Sequence, residues 1–234
     1  GETMRALDYL WLIPALPFLG AAVNGLVVRN RHKALATAIG VGAPGLSLLV
    51  ALACLAEFLA RPGFAPFEQL VYPWTAGSLK IDIAFLLDPL SAVMLFVVTF
   101  VGFLIHVYSV GYMAHEPGYR RYFSYLNLFM GAMLLLVLGD NFLVMFVGWE
   151  GVGLCSYLLI GFYFDQDFPP QAGRKAFIVN RIGDFAFLLG LFAIFAHFGT
   201  LSFKGVNTAI LADLGAAQAP FAFGLSLASF IALC

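Results

Sequence analysis

The sequence predicts an all-α polytopic membrane protein with six complete transmembrane helices and the start of a seventh. Of its 234 residues, 62% are hydrophobic and 11% are charged, whereas a soluble domain is roughly 25% charged. So few charged side chains cannot give a chain of this length a water-compatible surface. The composition, with a mean hydropathy of +0.94, therefore excludes a soluble enzyme and a disordered tail. The net charge of -1 excludes the basic surface that nucleic acid requires.

The predicted spans are apolar runs of roughly 20 residues, the length that crosses the hydrocarbon core of a bilayer as a helix. They cover residues 9–28, 34–60, 89–111, 122–138, 142–164 and 176–198. A seventh apolar run opens near Ala219 and reaches Cys234. Because that run is too short to cross a bilayer, we expect the chain to be a piece of a longer protein that stops within its seventh helix.

The loops between the spans differ in their basic residues. Seven lysines and arginines lie in the loops after the first, third and fifth spans, and four lie on the opposite side. The positive-inside rule places the richer loops in the cytoplasm and the N-terminus outside. On the outer side, residues 79–83 alternate apolar and charged side chains after a turn at Gly77, which predicts a short external β-hairpin. Residues 201–214 are mildly amphipathic and predict a surface helix.

No pattern in the sequence points to a metal, a bound cofactor or chemistry on an organic substrate. The three cysteines, Cys54, Cys155 and Cys234, lie in separate apolar runs. This odd, scattered set fits neither a disulfide framework nor a metal site, so we interpret the cysteines as buried small hydrophobic residues. The sequence has no glycine-rich phosphate loop after a strand and no nucleophile with histidine and acid partners on one face. Movement of ions is the function that these patterns favour.

Three ionisable residues lie within predicted spans, where a charge costs at least ~2.5–3.5 kcal/mol and therefore indicates function. Glu150 lies nine residues beyond Asn141, about 14 Å into the fifth span. Arg181 and Asp184 reach a similar depth in the sixth span, which is antiparallel to the fifth. These two residues are three apart, so they share a helix face and can pair, and one interpretation is that the pair serves helix packing alone.

Glu150 has no basic residue on its own helix that could pair with it. The small residues around it, Gly148, Gly151 and Gly153 among them, allow close helix packing and leave room for water beside the carboxylate. A carboxylate subject to both burial and a nearby cation can take up and release protons near neutral pH. Glu150 is therefore the strongest candidate for a proton carrier.

Two further residues are weaker candidates for proton access. His106 lies about one turn from the cytoplasmic end of the third span, as either a packing residue or a proton relay. Lys175 starts the sixth span at the cytoplasmic edge, where it either extends toward the interface or guards proton entry. Asp88 and the pair at residues 140–141 are interpreted as N-caps of the third and fifth spans.

Two long motifs resemble the antiporter-like L subunit of respiratory complex I, the NADH:quinone oxidoreductase. Residues 146–162 have the sequence FVGWEGVGLCSYLLIGF and resemble its fifth transmembrane helix. Residues 174–184, RKAFIVNRIGD, resemble its sixth helix, and residues 87–91 (LDPLS) and 106–113 (HVYSVGYM) resemble its third. The resemblance covers essentially the whole chain, and the two long motifs together are highly specific.

The resemblance implies a role for each charged residue within the spans. The fifth-helix glutamate of the family, here Glu150, is the key acidic group of a proton channel, and the sixth-helix residues, here Arg181 and Asp184, tune it. The family pairs the glutamate with a seventh-helix lysine, which does not occur before the end of this sequence. By the same resemblance, residues 9–111 form peripheral helices and residues 122–234 form part of the first of two inverted bundles.

The resemblance also implies the setting in which the chain works. It would be a proton-translocating subunit of an H⁺-translocating NADH:quinone oxidoreductase, driven by quinone reduction elsewhere in the complex. Its partners would be other antiporter-like membrane subunits and the lipid bilayer, without nucleic acid. NADH, FMN, iron–sulfur clusters and quinone would be bound by partner subunits, with no cofactor in this chain. The location would be a bacterial inner or plasma membrane rather than an organelle.

Two alternatives remain open at this point. The related large subunit of a multisubunit Na⁺/H⁺ antiporter would move ions without redox chemistry, and a structural membrane scaffold would move none. The stretch GWEGVG at residues 148–153 is closer to the complex I form. A scaffold does not explain why Glu150 and Arg181 tolerate burial.

Overall fold

The computed structural model describes residues 5–29, 31–76, 79–212, 220–222 and 225–234. These residues form long helices, one extended hairpin and a short C-terminal strand–helix segment. The helices are α1 (Leu12–Ala22), α2 (Lys33–Leu59), α3 (Pro89–Tyr112), α4 (Tyr119–Leu138), α5 (Phe142–Ile160), α6 (Phe168–Phe198), α7 (Phe203–Ala212) and α8 (Leu227–Leu233). The strands are β1 (Phe67–Ala76), β2 (Leu79–Leu87), β3 (Pro220–Ala222) and β4 (Leu225–Ser226).

Six helical segments in the described ranges are long and apolar enough to cross a membrane, which confirms the six predicted spans. Five of them are α2 to α6. The first, Ala6–Val27, joins α1 to a preceding 3₁₀ turn and to a π-helical turn at Val23–Val27. The chain is therefore a multi-pass membrane protein.

The sixth span begins earlier than its hydropathy predicts. Helix α6 starts at Phe168, with proline in its first turn, so Arg174 and Lys175 lie on the helix and not in a loop. Proline fixes a helical φ angle at this position and its missing N–H costs nothing there. Hydropathy marks the apolar part of a span, whereas lysine, arginine and glutamine extend a helix beyond it. At the other side of the loop, α5 ends at Ile160, four residues before the predicted end at residue 164.

The C-terminal segment differs from the continuous helix expected from Ala219, a residue that lies outside the described ranges. Strands β3 and β4 pair as a short antiparallel hairpin, and α8 begins only at Leu227. A short apolar run does not distinguish a buried strand from a helix, which is why hydropathy missed this hairpin. Helix α7 confirms a helix within the predicted residues 201–214 and begins at Phe203, two residues later than predicted.

Helix α4 is the centre of the packing. It contacts α1, α2, α3 and α5, whereas α6 packs mainly against α5. One hydrophobic cluster joins the start of α1, the end of α2, the start of α3 and the end of α4, and it includes Leu10, Phe58 and Leu138. A second cluster lies at the opposite end of the same helices around Met113 and Phe123. Burial at both ends fixes α4 and therefore the position of α5 beside it.

The β-hairpin is longer than the sequence predicts. Strands β1 and β2 pair antiparallel from Phe67↔Leu87 to Ala76↔Leu79, with an irregularity between Leu70 and Tyr72. The predicted turn residue Gly77 lies outside the described residues. Asn141 connects the hairpin to the helices, because its side-chain nitrogen donates to the Asp82 carbonyl at 2.7 Å.

The predicted helix caps are confirmed in part. Asp88 caps α3 by accepting a hydrogen bond from the Ser91 amide at 2.7 Å. Asn141 caps α5 by accepting from the Val144 amide at 2.9 Å. Asp140 was predicted to share that role, but Asn141 alone is the N-cap, and the Asp140 amide donates to the Ala84 carbonyl of β2.

The cysteines follow the sequence interpretation at two of three positions. Cys54 and Cys155 are buried and free, and the Cys54 thiol donates to the Ala6 carbonyl at 3.2 Å. Cys234 is also free but is only partly buried.

Candidate functional site

Helices α5 and α6 bring the three charged residues of the predicted site into contact. Glu150 lies in the middle of α5, and Arg181 and Asp184 lie in the middle of α6. A guanidinium nitrogen of Arg181, Nη1, forms an ion pair with Glu150 Oε2. The Nε atom of the same side chain lies 3.5 Å from Asp184 Oδ2. One cation is therefore shared by two carboxylates on neighbouring helices, and we name these three residues the charge cluster.

Asp184 is the most buried member of the charge cluster, at 4% exposed. Its second oxygen, Oδ1, accepts a hydrogen bond from the indole Nε1 of Trp149 at 2.8 Å. Both oxygens of Asp184 are thus engaged, one by α6 and one by α5. Trp149 was not among the predicted site residues. The signal in the sequence was its indole N–H, which can only donate a hydrogen bond and therefore needs an acceptor nearby.

Arg181 is held by an aromatic ring as well as by the two carboxylates. Its guanidinium carbon lies 4.5 Å from the centroid of the Phe177 ring, one helical turn earlier on α6. This contact is a cation–π interaction, which restricts the guanidinium to the side facing α5. The side chains of Arg181 and Glu150 remain 37% and 24% exposed, so the cluster has an open side in this chain.

The glycines around Glu150 face two different neighbours. A Cβ atom added at Gly148 would lie 2.5 Å from the Leu136 backbone nitrogen, and one at Gly151 would lie 2.9 Å from the Ala132 Cβ. These two glycines therefore allow α5 to pack tightly on α4. A Cβ atom at Gly153 would instead lie 3.9 Å from a guanidinium nitrogen of Arg181.

The two weaker candidates, His106 and Lys175, lie away from the charge cluster. His106 is 1% exposed on α3, and its Nδ1 is 2.7 Å from the Gly102 carbonyl, so Nδ1 carries the donated proton. Its Nε2 has no partner among the described residues. Lys175 is exposed on α6, and the described part of the chain offers it no ion pair or hydrogen bond. Their roles in proton access stay predictions.

Asp140 is a titratable residue whose surroundings the sequence did not reveal. It lies between α4 and α5 and is 6% exposed. Burial, followed by the negative charges of Glu68 and Asp82, raises the pKa of its carboxyl to about 6, and the positive charge of Lys204 opposes part of this rise. A neutral carboxyl near pH 6 can hydrogen-bond to Glu68, which faces it from β1.

The charge cluster contains two acidic groups and one basic group. When all three groups are ionised, two carboxylates face one guanidinium and the cluster carries one net negative charge. Among the described residues, no group of three histidine, cysteine or acidic side chains could hold a metal ion.

Two family models match the parts of the chain that hold these elements. Residues 74–123 match a model described as NADH-Ubiquinone oxidoreductase (complex I), chain 5 N-terminus. Residues 139–233, which include the whole charge cluster, match NADH:quinone oxidoreductase/Mrp antiporter, TM. The chain belongs to this antiporter-like family. The resemblance seen in the sequence is thereby confirmed.

Curated relatives in the family carry the name of the complex I subunit. The chain is 45% identical over 206 residues to NADH-quinone oxidoreductase subunit L of Mycobacterium tuberculosis, covering 87% of this chain and 32% of the relative. It is 42% identical over 199 residues to subunit L of Escherichia coli (strain K12), covering 85% and 32%. NAD(P)H-quinone oxidoreductase subunit 5, organellar chromatophore 1, of Paulinella chromatophora is 38% identical, covering 92% and 33%. The chain spans about one third of the length of these relatives.

Solved structures show the same fold in other membrane complexes. A chain in the structure of the Mrp complex from Dietzia sp. DQ12-45-1b matches with a TM-score of 0.74 at 24% identity, covering 96% of this chain and 22% of that one. A chain of the membrane-bound sulfane sulfur reductase, an archaeal respiratory membrane complex, matches with a TM-score of 0.69 at 21% identity, covering 86% and 30%. The predicted membrane fold is confirmed by these matches.

Proposed function

We propose that this chain is part of the proton-translocating membrane subunit of an NADH:quinone oxidoreductase. The observation that carries the proposal is the guanidinium of Arg181 shared between Glu150 and Asp184 at the contact of two membrane spans. The subunit L names of the relatives support complex I as the setting. In this proposal the chain carries out no redox chemistry itself and belongs to a translocase whose quinone reduction takes place elsewhere.

The geometry supports a simple proton transfer step. A proton that reaches Glu150 neutralises its carboxylate and weakens its ion pair with Arg181. The guanidinium then interacts more strongly with Asp184, which the indole of Trp149 holds in place. Once the proton has left Glu150, Arg181 pairs with its carboxylate again. Arg181 thus acts as the cation that alternates between the carboxylates of Glu150 and Asp184.

The surroundings of the chain form a further part of the proposal. Other antiporter-like membrane subunits of complex I would be its neighbours, and NADH, FMN, iron–sulfur clusters and quinone would be bound by partner chains. The bacterial relatives support a bacterial inner or plasma membrane, although a chromatophore relative has similar coverage. We also propose an external N-terminus, with residues 9–111 as peripheral helices and 122–234 as part of the first bundle.

A second candidate function is the large subunit of a multisubunit Na⁺/H⁺ antiporter. The structural match to the Mrp complex favours this candidate, because it covers nearly the whole chain. The subunit L names and the GWEGVG stretch at residues 148–153 favour complex I.

Ion transport by the full-length protein in its native complex tests the two candidates against each other. The complex is reconstituted in vesicles, and internal pH is followed after addition of NADH and quinone, with and without Na⁺. Complex I predicts a pH change that requires NADH and occurs without Na⁺, and co-purification with flavin and iron–sulfur subunits. A pH change driven by a Na⁺ gradient without NADH would contradict the first proposal and support the antiporter.

A further inference from the structure

Arg121 is a guanidinium held between two aromatic rings where two spans end. It lies in the first turn of α4, and the rings belong to Phe162 and Phe164, just after α5. The guanidinium carbon is 4.7 Å from the Phe162 ring centroid and 4.5 Å from that of Phe164. One of its five N–H groups donates to the Phe162 carbonyl at 3.0 Å. Across the described ranges no carboxylate forms an ion pair with it.

Two adjoining cavities meet at Arg121. The first, of about 320 Å³, has a charged lining that includes Glu116, Arg120 and Asp165. The second, of about 190 Å³, lies along α4 and α5 and is lined by Tyr125, Leu158 and other largely apolar side chains. Arg121, Phe162 and Phe164 line both cavities. The groove therefore changes from charged to apolar within a short distance.

The charged groups of the first cavity are not equally available to a ligand. Arg120 Nη1 already donates to the carbonyls of Asn24 and Gly25, at 3.0 and 2.7 Å. Glu116 already accepts a hydrogen bond from the hydroxyl of Tyr163. Asp165 is exposed and forms no ion pair or hydrogen bond with the described residues. Arg121 keeps unused N–H groups and Asp165 keeps a carboxylate without a partner among the described residues, so these two groups are the most available to a ligand.

The guanidinium of Arg121 and the carboxylate of Asp165 lie beside an apolar groove. Together they complement a ligand that has a negative group, a positive group and an acyl chain. Arginine binds phosphate oxygens through parallel N–H groups. A carboxylate accepts hydrogen bonds from a primary ammonium group but not from a quaternary one. Helices α4 and α5 are long and apolar enough to cross a membrane, which would put the start of α4 and the end of α5 at the level of the phospholipid headgroups.

We propose that this groove binds a phospholipid with a phosphoethanolamine headgroup. The phosphate contacts the guanidinium of Arg121, the ammonium group contacts Asp165, and the start of an acyl chain lies in the apolar cavity beside Tyr125 and Leu158. This site is independent of proton transfer through Glu150. Its proposed effect is to hold the loop after α5 in place, because Phe162 and Phe164 pack on the same guanidinium that the phosphate contacts.

Native mass spectrometry of the full-length protein released from its complex tests this proposal. The complex is purified after exchange into micelles that contain phosphatidylethanolamine, phosphatidylglycerol or phosphatidylcholine, and the lipid retained by this subunit is counted. We expect one retained phosphatidylethanolamine in preference to the other two lipids. Arg121→Gln should lower its occupancy roughly ten-fold, since charge-assisted hydrogen bonds to the phosphate are lost.

Two further variants keep the test decisive. Asp165 lies in an exposed loop. Asp165→Asn should abolish the preference for phosphatidylethanolamine over phosphatidylcholine while phosphate binding remains. Arg174→Gln removes an exposed arginine on α6 that lines neither cavity, and it should leave retention unchanged. The proposal would be overturned if Arg121→Gln and the unchanged protein retained phosphatidylethanolamine equally. It would also be overturned by a preference for phosphatidylglycerol that Asp165→Asn does not alter.

Discussion

The guanidinium of Arg181 balances two carboxylates that belong to different helices. Its contact with Asp184 follows from their spacing of three residues on one helix, which the sequence predicts. Its contact with Glu150 joins two helices and depends on how each is rotated about its axis. Glu150 is the only charged residue of α5 and no continuous polar stripe accompanies it, so the pattern of the helix does not indicate that rotation.

Removal of Arg181 should be partly compensated by removal of one of its carboxylate partners. Arg181→Ala leaves two unpaired carboxylates, and we expect less assembled complex than in the unchanged protein. The loss of stability caused by Arg181→Ala should be below the ~3–5 kcal/mol of breaking a fully buried pair, because the Arg181 side chain is 37% exposed. Arg181→Ala combined with Asp184→Asn should restore part of the assembly, measured by native gel and immunoblot. Additive losses would show that the two residues are not coupled.

Asp140 should make the stability of the protein depend on pH. Its folded pKa of about 6 lies above its ordinary value of 3.8, so the folded state holds a proton more tightly than the unfolded state. The neutral Asp140 carboxyl therefore stabilises the folded protein at low pH. This stabilisation is lost as the pH rises through 6. Asp140→Asn should therefore stabilise by up to about 3 kcal/mol above pH 6 and by progressively less toward pH 4.

Thermal unfolding of the full-length protein in its complex at pH 8 and pH 5 measures this effect. Asp167→Asn provides a matched control, because Asp167 is exposed and its side chain makes no capping hydrogen bond at the start of α6. A gain for Asp140→Asn that is equal at both pH values would contradict the burial of an ionisable carboxyl.

At the scale of secondary structure elements, the contact between α4 and α5 determines where Glu150 lies. Gly148 approaches the backbone of Leu136 so closely that any side chain would collide with main-chain atoms, which cannot rotate away. Gly151 approaches Ala132 one turn further along the same face. This contact places the Glu150 side of α5 toward α6.

Alanine at Gly148 should destabilise the helix pair. The added methyl group would lie 2.5 Å from the Leu136 nitrogen, and overpacking of this kind costs about 1–3 kcal/mol. Gly42→Ala on α2 is the control, because a Cβ atom there meets nothing within 4 Å and alanine favours a helix by about 0.5–1 kcal/mol. The thermal unfolding temperature of the complex should fall for Gly148→Ala and stay level or rise for Gly42→Ala. A neutral Gly148→Ala would refute the tight contact.

Hydropathy predicted the spans well because the burial of an apolar run in lipid depends on the residues of that run and not on its partners. It failed at helix ends, as for α6, because polar residues continue a helix into the interfacial region. It also failed at β3 and β4, where a short apolar stretch pairs as strands. The indole N–H of Trp149 indicates a hydrogen-bond donor, but its partner could not be predicted, because Asp184 is 35 residues away on another helix.

At the scale of the whole molecule, the described helices hold the charge cluster on one outer flank of the packing around α4. Helix α6 packs mainly against α5, and Glu150 and Arg181 keep an open side. The chain spans about one third of the length of its curated relatives. The family's pairing of the glutamate with a seventh-helix lysine therefore remains a prediction for the longer protein.

The central claim is that Glu150 carries protons, and replacement by glutamine tests it most directly. Glu150→Gln in the full-length protein preserves the shape of the side chain but removes the titratable group, so insertion and assembly should remain. Glu57→Gln on α2 changes a carboxylate of another span that lies away from the charge cluster, and it serves as the control.

The measurement is NADH-driven proton translocation by the complex in reconstituted vesicles, with assembly checked on the same sample. We expect Glu150→Gln to assemble and lose translocation through this subunit, Glu150→Asp to retain part of it, and Glu57→Gln to retain all of it. Normal translocation by an assembled Glu150→Gln complex would contradict the account.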